Sequence, residues 1–507
     1  MLLGLIMEKT SNNNIFKISA VVILYALITI VAVFRHEIWA DEAQVWMICK
    51  NLTFFGLFEH LVNEGHPSFF YLLLMPFAKL GSNIIYMQLV CWLSSVIAVF
   101  LLWRYSKFNT LTKTIITLSA PFLYFFPAVA RNYSLIAPLV FSLAILHDKT
   151  DKHPYLYSFL LVFLVNTHAI MFCFSFLLAL RFLYKNVYIQ IKNKSLDKSC
   201  AVSGGIILFG IFALIFQLMG TTSSNCFIKF GTDEVLASAI RVILLFLFNS
   251  FDSHYLHSHI KYFNPYTLGC ITCVILSYLS LFVYFLIKNK KLFAFLLLSV
   301  GFQFVVYILT YNYYVFPTRI YSCYMIFLFC CWVLSDINAK NNISNKAINI
   351  LISFMFILTL WNGIFNYYGD FVFEYSASKS TAAYIKQNIN PKNSILFIDF
   401  PPPSIPVAYY LNDVYDLRDV RSGNIPFKYV RWTKSLYKYL SDREWEELFK
   451  KYRESGETKD LYAVVIYNIF KEPKNLNTLG EKYFDLFYVS GDALDYVERF
   501  KIYKYKF

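Results

Sequence analysis

A chain of 507 residues that is 58% hydrophobic, 20% aromatic and only 15% charged falls outside the range of soluble globular proteins, which excludes an ordinary soluble domain and predicts an integral membrane protein. The formal net charge of +14 does not point to nucleic acid, because the lysines fall in short linkers between apolar runs and in the last third rather than in one basic stripe. The ten cysteines are dispersed, and CITC at 270–273 reads as small apolar packing residues rather than a metal or redox pair.

The first apolar run, Ile18 to Phe34, holds about 17 uncharged residues, near the lower limit for a helix that crosses hydrocarbon. No small-residue cleavage site clearly follows it, so it is expected to stay as an anchor. Further runs long enough to cross, or nearly so, cover 84–103, 113–128, 133–146, 154–167, 169–184, 201–219, 267–287, 292–310, 320–335 and 347–365, about eleven crossings with the first. HPSFFYLLLMPFAKLG, 66–81, is left out, because about 14 apolar residues suit an interfacial or re-entrant helix better. Charge placement agrees. With that run left out, Lys9, Lys17, Arg104, Lys107, Lys113, Lys149, Lys152, Lys185, Lys288, Lys290 and Lys340 fall on one side, the positive-inside pattern with a cytoplasmic N-terminus. VLASAIRVILLFLFNSF, 235–251, must then also lie on the surface or re-enter.

The other side holds the loop 35–83, the turns Ala130–Tyr133, Asn166–His168 and Tyr311–Arg319, the segment 220–266 and everything after about 366. From about 370 charged and apolar residues alternate, with TAAYIKQNI reading as helix and SILFIDF, LYAVVIYN and YFDLFYVS as strands. PPPSIP, 401–406, reads as a loop. The predicted fold class is therefore an α-helical polytopic membrane protein with interfacial helices and a C-terminal extracytoplasmic α/β domain, divided into 1–368 and 369–507.

The stretch HEIWADEAQVW, 36–46, sets Asp41 and Glu42 together at the edge of the first span. On the simplest reading Asp41 caps a short helix, AQVWMICKNL, and Glu42 favours its positive end. The same loop also carries Glu64 and His66 before the interfacial helix. Carboxylates at the water boundary of an apolar cavity have tunable pKa values, which suits a general base, so catalysis is favoured over capping.

The acidic pair, then EGHPSFFYLLLMPFAKLG, then ARNYSL at 130–135, resemble in that order the GT-C superfamily of polytopic glycosyltransferases. The likeness is to the bacterial relatives of protein O-mannosyltransferases and lipid A aminoarabinose transferases. It covers the order of elements over about 1–185 and the plan of a membrane core with a C-terminal outer domain. The resemblance implies a bacterial inner-membrane enzyme that transfers a sugar, with inversion, from a polyprenyl-phosphate carrier to a lipid, glycan or protein acceptor. Its chemistry needs a base for the acceptor hydroxyl, for which Asp41 is the candidate, with Glu42 orienting it. The departing phosphate needs positive charge, for which Arg131 and Arg319 are candidates, against the alternative of interfacial snorkelling.

Glu64 and His66 are candidate substrate contacts in the same loop. Tyr133 and Tyr321 read as aromatic-belt residues, with substrate contact as the alternative. His168 reads as a satisfied boundary histidine rather than a ligand. His254, His257 and His259, in DSHYLHSHIKY, could hold a divalent metal with Glu64 or His66, although a solvated loop is the default. No other cofactor is implied. A transporter or flippase of a lipid-linked glycan, or a surface-glycan polymerase or ligase, would use the same lipid-linked donor. A transporter would concentrate polar residues and helix breaks at mid-membrane, whereas the ionisable residues here gather at one set of span ends.

Overall fold

The computed structural model describes residues 12–81, 83–218, 239–240, 242–243, 265–310, 317–399, 401–420, 427–432, 440–466, 482–495 and 498–507. His254, His257 and His259 lie outside the described residues, as does most of 235–251.

Eight described helices are long and apolar enough to cross a membrane: Ile15–Arg35, Ile85–Tyr105, Ala169–Lys192, Lys198–Leu218, Gly269–Lys288, Lys290–Leu309, Thr318–Lys340 and Lys346–Val372. Asn132–Leu146 and Pro154–Val165 form shorter apolar helices at two more of the predicted positions. Helix 318–340 is the hub, with 89% of its apolar window buried by its neighbours. The first span, by contrast, is 17% buried and presents its apolar side chains outward. Phe209, Phe212 and Phe216 line one exposed face of helix 198–218, as lipid-facing residues do.

The predicted span over 113–128 is not one helix. The helix Thr110–Leu118 stops at Ser119, whose hydroxyl donates back to the Ile116 carbonyl, and a single π-helical turn follows over Pro121–Phe125. Pro121 has no N–H to give the helical ladder, so the run cannot pass through it unbroken. The broken backbone lets helix Leu360–Val372 approach closely: a Cβ on Gly363 would lie 2.8 Å from the Ala120 Cα. Gly363→Ala is accordingly expected to destabilise the folded protein by about 1–3 kcal/mol, seen as a lower unfolding temperature in detergent.

The loop 35–83 folds as three short helices after the first long one. We label Asn12–Arg35 α1, Ala40–Asn51 α2, Phe54–Glu64 α3 and Phe69–Lys79 α4. Helix α4, with 11 residues, is the expected short apolar helix of the 66–81 run.

The C-terminal part carries a five-stranded sheet in the order β2-β1-β3-β5-β4, with β1 at Ser394–Ile398, β2 at Asp416–Asp419, β3 at Asp460–Ile466, β4 at Phe484–Val489 and β5 at Phe500–Tyr505. Strand β1 runs parallel to β2 and β3, while β5 is antiparallel to both β3 and β4. Side chains on alternating strand positions face opposite ways, and here both sets are apolar. Ile395, Phe397, Leu461, Ala463 and Val465 pack against Trp445 and Phe449 of helix Asp442–Glu454. Leu396, Ile398, Tyr462 and Val464 face the other way, into a core shared with Trp46, Met47 and Ile48 of α2 and Leu74 of α4. The sheet is thus joined to the loop 35–83 by continuous apolar packing.

PPPSIP is a helix rather than the expected loop, spanning Pro401–Leu411. Its first prolines sit where a helix has no use for backbone N–H groups, so they start it, and only Pro406 forfeits a ladder bond. This helix packs against α2 through Ile405, Val407 and Ala408.

Candidate active site

Helix α2 starts at Ala40, with Trp39 as its flanking residue. Asp41 is therefore inside the first turn and does not cap it. The capping contact comes from Glu42, whose Oε2 accepts from the Trp39 N–H at 3.2 Å. The other Glu42 oxygen accepts from the Ala130 N–H, so a fully buried carboxylate pins the start of α2 to the turn that carries Arg131. Asp41, one residue earlier, points away from that contact and into a cleft.

That cleft, about 350 Å³ of space counting its open mouth, is lined by Trp39, Asp41, Phe125, Val129, Arg131, Tyr133, Thr318, Arg319 and Tyr375. Four of the sequence candidates, Asp41, Arg131, Tyr133 and Arg319, meet there from three separate stretches of chain. Asp41 Oδ2 lies 2.7 Å from an Arg131 guanidinium nitrogen, with the carboxylate 31% exposed and the arginine 8%. Burial, the largest influence, works against the Arg131 charge, but Asp41 together with Tyr133 and Tyr71 outweighs it and holds the guanidinium above its ordinary pKa.

Behind Arg131 stands a pair of neutral histidines. His66 Nε2 is 3.5 Å from Arg131, and its ring lies edge-on to His168 at 4.9 Å. Burial and the nearby guanidiniums of Arg131 and Arg319 push His66 down to about 3. His168 is lowered for the same reason, burial first, with His66 and both arginines adding to it. The Nδ1 of His168 accepts from the Ile170 N–H at 3.2 Å, so a neutral ring carries its proton on Nε2 and donates it to the Tyr133 oxygen at 2.8 Å. Arg319 Nε donates to that same oxygen at 3.1 Å. Two donors thus converge on the Tyr133 oxygen, and His168 is a buried residue with both ring nitrogens engaged.

The other candidates are placed elsewhere. Glu64 does not line the cleft: it accepts from Gln44 at 2.7 Å and pairs with His60 at 2.8 Å. Gln44 in turn exchanges two hydrogen bonds with the Val430 backbone, both at 2.9 Å, so Glu64 orients a clamp onto the C-terminal part. Tyr321 is fully buried behind Phe125, where its hydroxyl accepts from Asn362 at 3.0 Å. Tyr133 and Tyr321 are 2% and 0% exposed, which corrects the aromatic-belt reading, since belt residues face lipid headgroups. Both arginines are likewise buried against protein instead of snorkelling.

Trp39, Phe125, Thr318 and Tyr375 were not singled out in the sequence, although they form much of the wall. Tryptophan and tyrosine beside a carboxylate and two guanidiniums suit a sugar ring, which offers apolar faces and hydroxyl edges. The C-terminal part contributes Glu498, whose Oε1 accepts from the Ala40 N–H at 2.6 Å, one of the unsatisfied donors at the start of α2. Burial, then Asp495, hold Glu498 well above the usual carboxylate range. A raised pKa in the folded state means that stability from this group is present at low pH and lost as pH rises. Glu498→Gln is therefore expected to match or exceed the native unfolding temperature above neutral pH, its advantage fading as pH falls through the carboxylate range. Glu498→Ala should cost about 0.5–2 kcal/mol, as lost N-terminal caps do.

No protein-family model matches the chain, and no curated protein matches it in sequence. Solved structures do match. The crystal structure of ArnT from Cupriavidus metallidurans in the apo state superposes with a TM-score of 0.51 at 10% identity, over 96% of this chain and 98% of that one. The crystal structure of ArnT from the same organism bound to undecaprenyl phosphate superposes with a TM-score of 0.47 at 11% identity, over 98% of both chains. The apo likeness, covering nearly the whole of both chains, shows that this chain shares the fold of that structure.

Proposed function

We propose that the chain is a membrane glycosyltransferase that moves a sugar, with inversion, from a polyprenyl-phosphate carrier to a lipid, glycan or protein acceptor at the outer face of a bacterial inner membrane. The observation that carries this reading is the Asp41–Arg131 pair set in one aromatic-walled cleft with a second guanidinium, Arg319. Asp41 is the one carboxylate lining the cleft among the described residues, and it takes the proton of the acceptor hydroxyl. Arg131 and Arg319 receive the carrier phosphate, whose charge grows as the glycosidic bond breaks, and the Tyr133 hydroxyl donates alongside them.

The contact between Asp41 and Arg131 makes the two halves interdependent. A phosphate that draws on Arg131 competes with Asp41 for the same guanidinium and leaves the carboxylate more basic. Donor binding thereby readies the base for the acceptor. Among the described residues no group of three or more His, Cys, Asp or Glu side chains is gathered as for a metal. His254, His257 and His259 would hold a divalent ion, which would add positive charge to balance the departing phosphate.

The test is transfer by the purified protein in lipid nanodiscs from radiolabelled sugars on polyprenyl phosphate. Release of the carrier with label on an acceptor supports the reading. Movement of the intact carrier lipid across vesicle membranes, with no label transferred, would replace it with a flippase.

A further inference from the structure

We propose that His36 is a buried imidazolium that positions the Asp41–Arg131 pair by acting through Glu42, an inference that rests on the reading of Asp41 as the base. His36 follows the last residue of α1 and is held between two carboxylates. Its Nδ1 is 3.0 Å from Asp370 Oδ2 and its Nε2 is 3.3 Å from Glu42 Oε1, with all three side chains closed to solvent. The Tyr124 hydroxyl donates to the same Asp370 oxygen at 2.7 Å. The Tyr375 ring, which also lines the cleft, packs edge-on against the imidazole at 4.5 Å.

A neutral imidazole has one N–H and can donate to only one of these carboxylates, leaving the other facing a lone pair in a dry interior. The protonated ring donates from Nδ1 to Asp370 and turns its positive Nε2–H edge to Glu42, an ion-pair contact at 3.3 Å that falls short of a well-aligned hydrogen bond. The charge balance points the same way, since two buried carboxylates with no cation would be costly. Burial alone would lower the histidine, but Glu42 and then Asp370 outweigh it and raise it to about 10. Glu37, its chain neighbour, is pushed up to about 7 by burial and then by Glu374, which still leaves it below His36 in proton affinity.

The consequence for the cleft follows from the chain order. Glu42 directly follows Asp41, and its contact at Ala130 directly precedes Arg131. One carboxylate therefore sets the spacing between base and guanidinium, and His36 sets the carboxylate. His36 itself does not line the cleft, so it is a positioning residue.

The test has two arms. In protein labelled with 15N-histidine in nanodiscs, with the resonance assigned from a His36→Gln sample, the His36 nitrogens should both be protonated at neutral pH. In the transfer assay, His36→Gln should lower kcat by about 10²-fold, the cost of a misplaced reacting group, with a much smaller change in donor KM. Asp370→Asn added to His36→Gln removes a carboxylate with the cation and should recover part of that loss. A neutral His36 ring at neutral pH overturns the proposal, as does a folded His36→Gln protein with native kcat. If neither variant folds, the native protein still decides once the signal of His60, the other buried histidine set against a carboxylate, is identified from a His60→Gln sample: a buried imidazolium that remains belongs to His36. The NMR arm does not depend on the reaction, so a failed transferase reading leaves the ionisation state of His36 independently measured.

Discussion

Asp41→Asn should abolish transfer, lowering kcat by at least about 10²-fold, while the protein still folds and inserts. Asparagine keeps the size of the side chain and an oxygen for Arg131, but it cannot accept the acceptor's proton. The buried guanidinium loses its counterion, and because Asp41 is 31% exposed, water screens part of that loss. The unfolding temperature should therefore move little compared with the activity. Glu42→Gln is the informative control. Glu42 is closed to solvent and holds Trp39, Ala130 and His36, so its neutralisation should lower the unfolding temperature as well as the activity. Equal turnover in the native protein and Asp41→Asn, measured on purified samples with the same labelled donor, would remove the base from the scheme.

The contrast between Asp41 and Glu42 shows what the sequence could and could not convey. Hydropathy marked most membrane crossings and the short helix at 66–81, because burial in lipid imposes long uninterrupted apolar runs. It could not mark the break at Ser119 and Pro121, where composition stays apolar and only backbone hydrogen bonding changes. Strands β1, β3 and β4 were legible from their runs of β-branched and aromatic residues, but the short, charge-interrupted β2 and β5 were not, and the helix at 401–411 was hidden by prolines that usually mark loops.

Within the site, proximity in sequence brought attention to the acidic pair but gave both members the same environment. A helix rotates successive side chains by about 100°, so one faces the cleft and the other the interior. Asp370 and Glu498 were beyond reach of any local pattern, since their partners His36 and Ala40 lie 334 and 458 positions away. Glu64 had the right composition and the right loop, but Gln44 and His60 claim it.

The two arginines should separate in their effects. Under the proposed scheme Arg131→Gln removes a phosphate ligand and also the partner that sets Asp41, so kcat/KM should fall by about 10²–10³-fold, the range seen when a charge-stabilising donor is lost. Arg319→Gln removes a phosphate ligand but leaves the 2.7 Å Asp41–Arg131 pair in place, so its loss should be smaller and carried more by donor KM. Lysine at either position keeps the charge without the planar fork that meets two phosphate oxygens at once, so each Lys variant should fall between native and Gln. The ordering is checked by steady-state kinetics on the four variants with varied donor at fixed acceptor. If Arg131 were only a structural partner of Asp41, Arg131→Lys would restore native kcat while donor KM stayed unchanged throughout the Arg131 series. If instead Arg131 binds the phosphate, an unreactive polyprenyl phosphate should inhibit the native protein more strongly than Arg131→Gln.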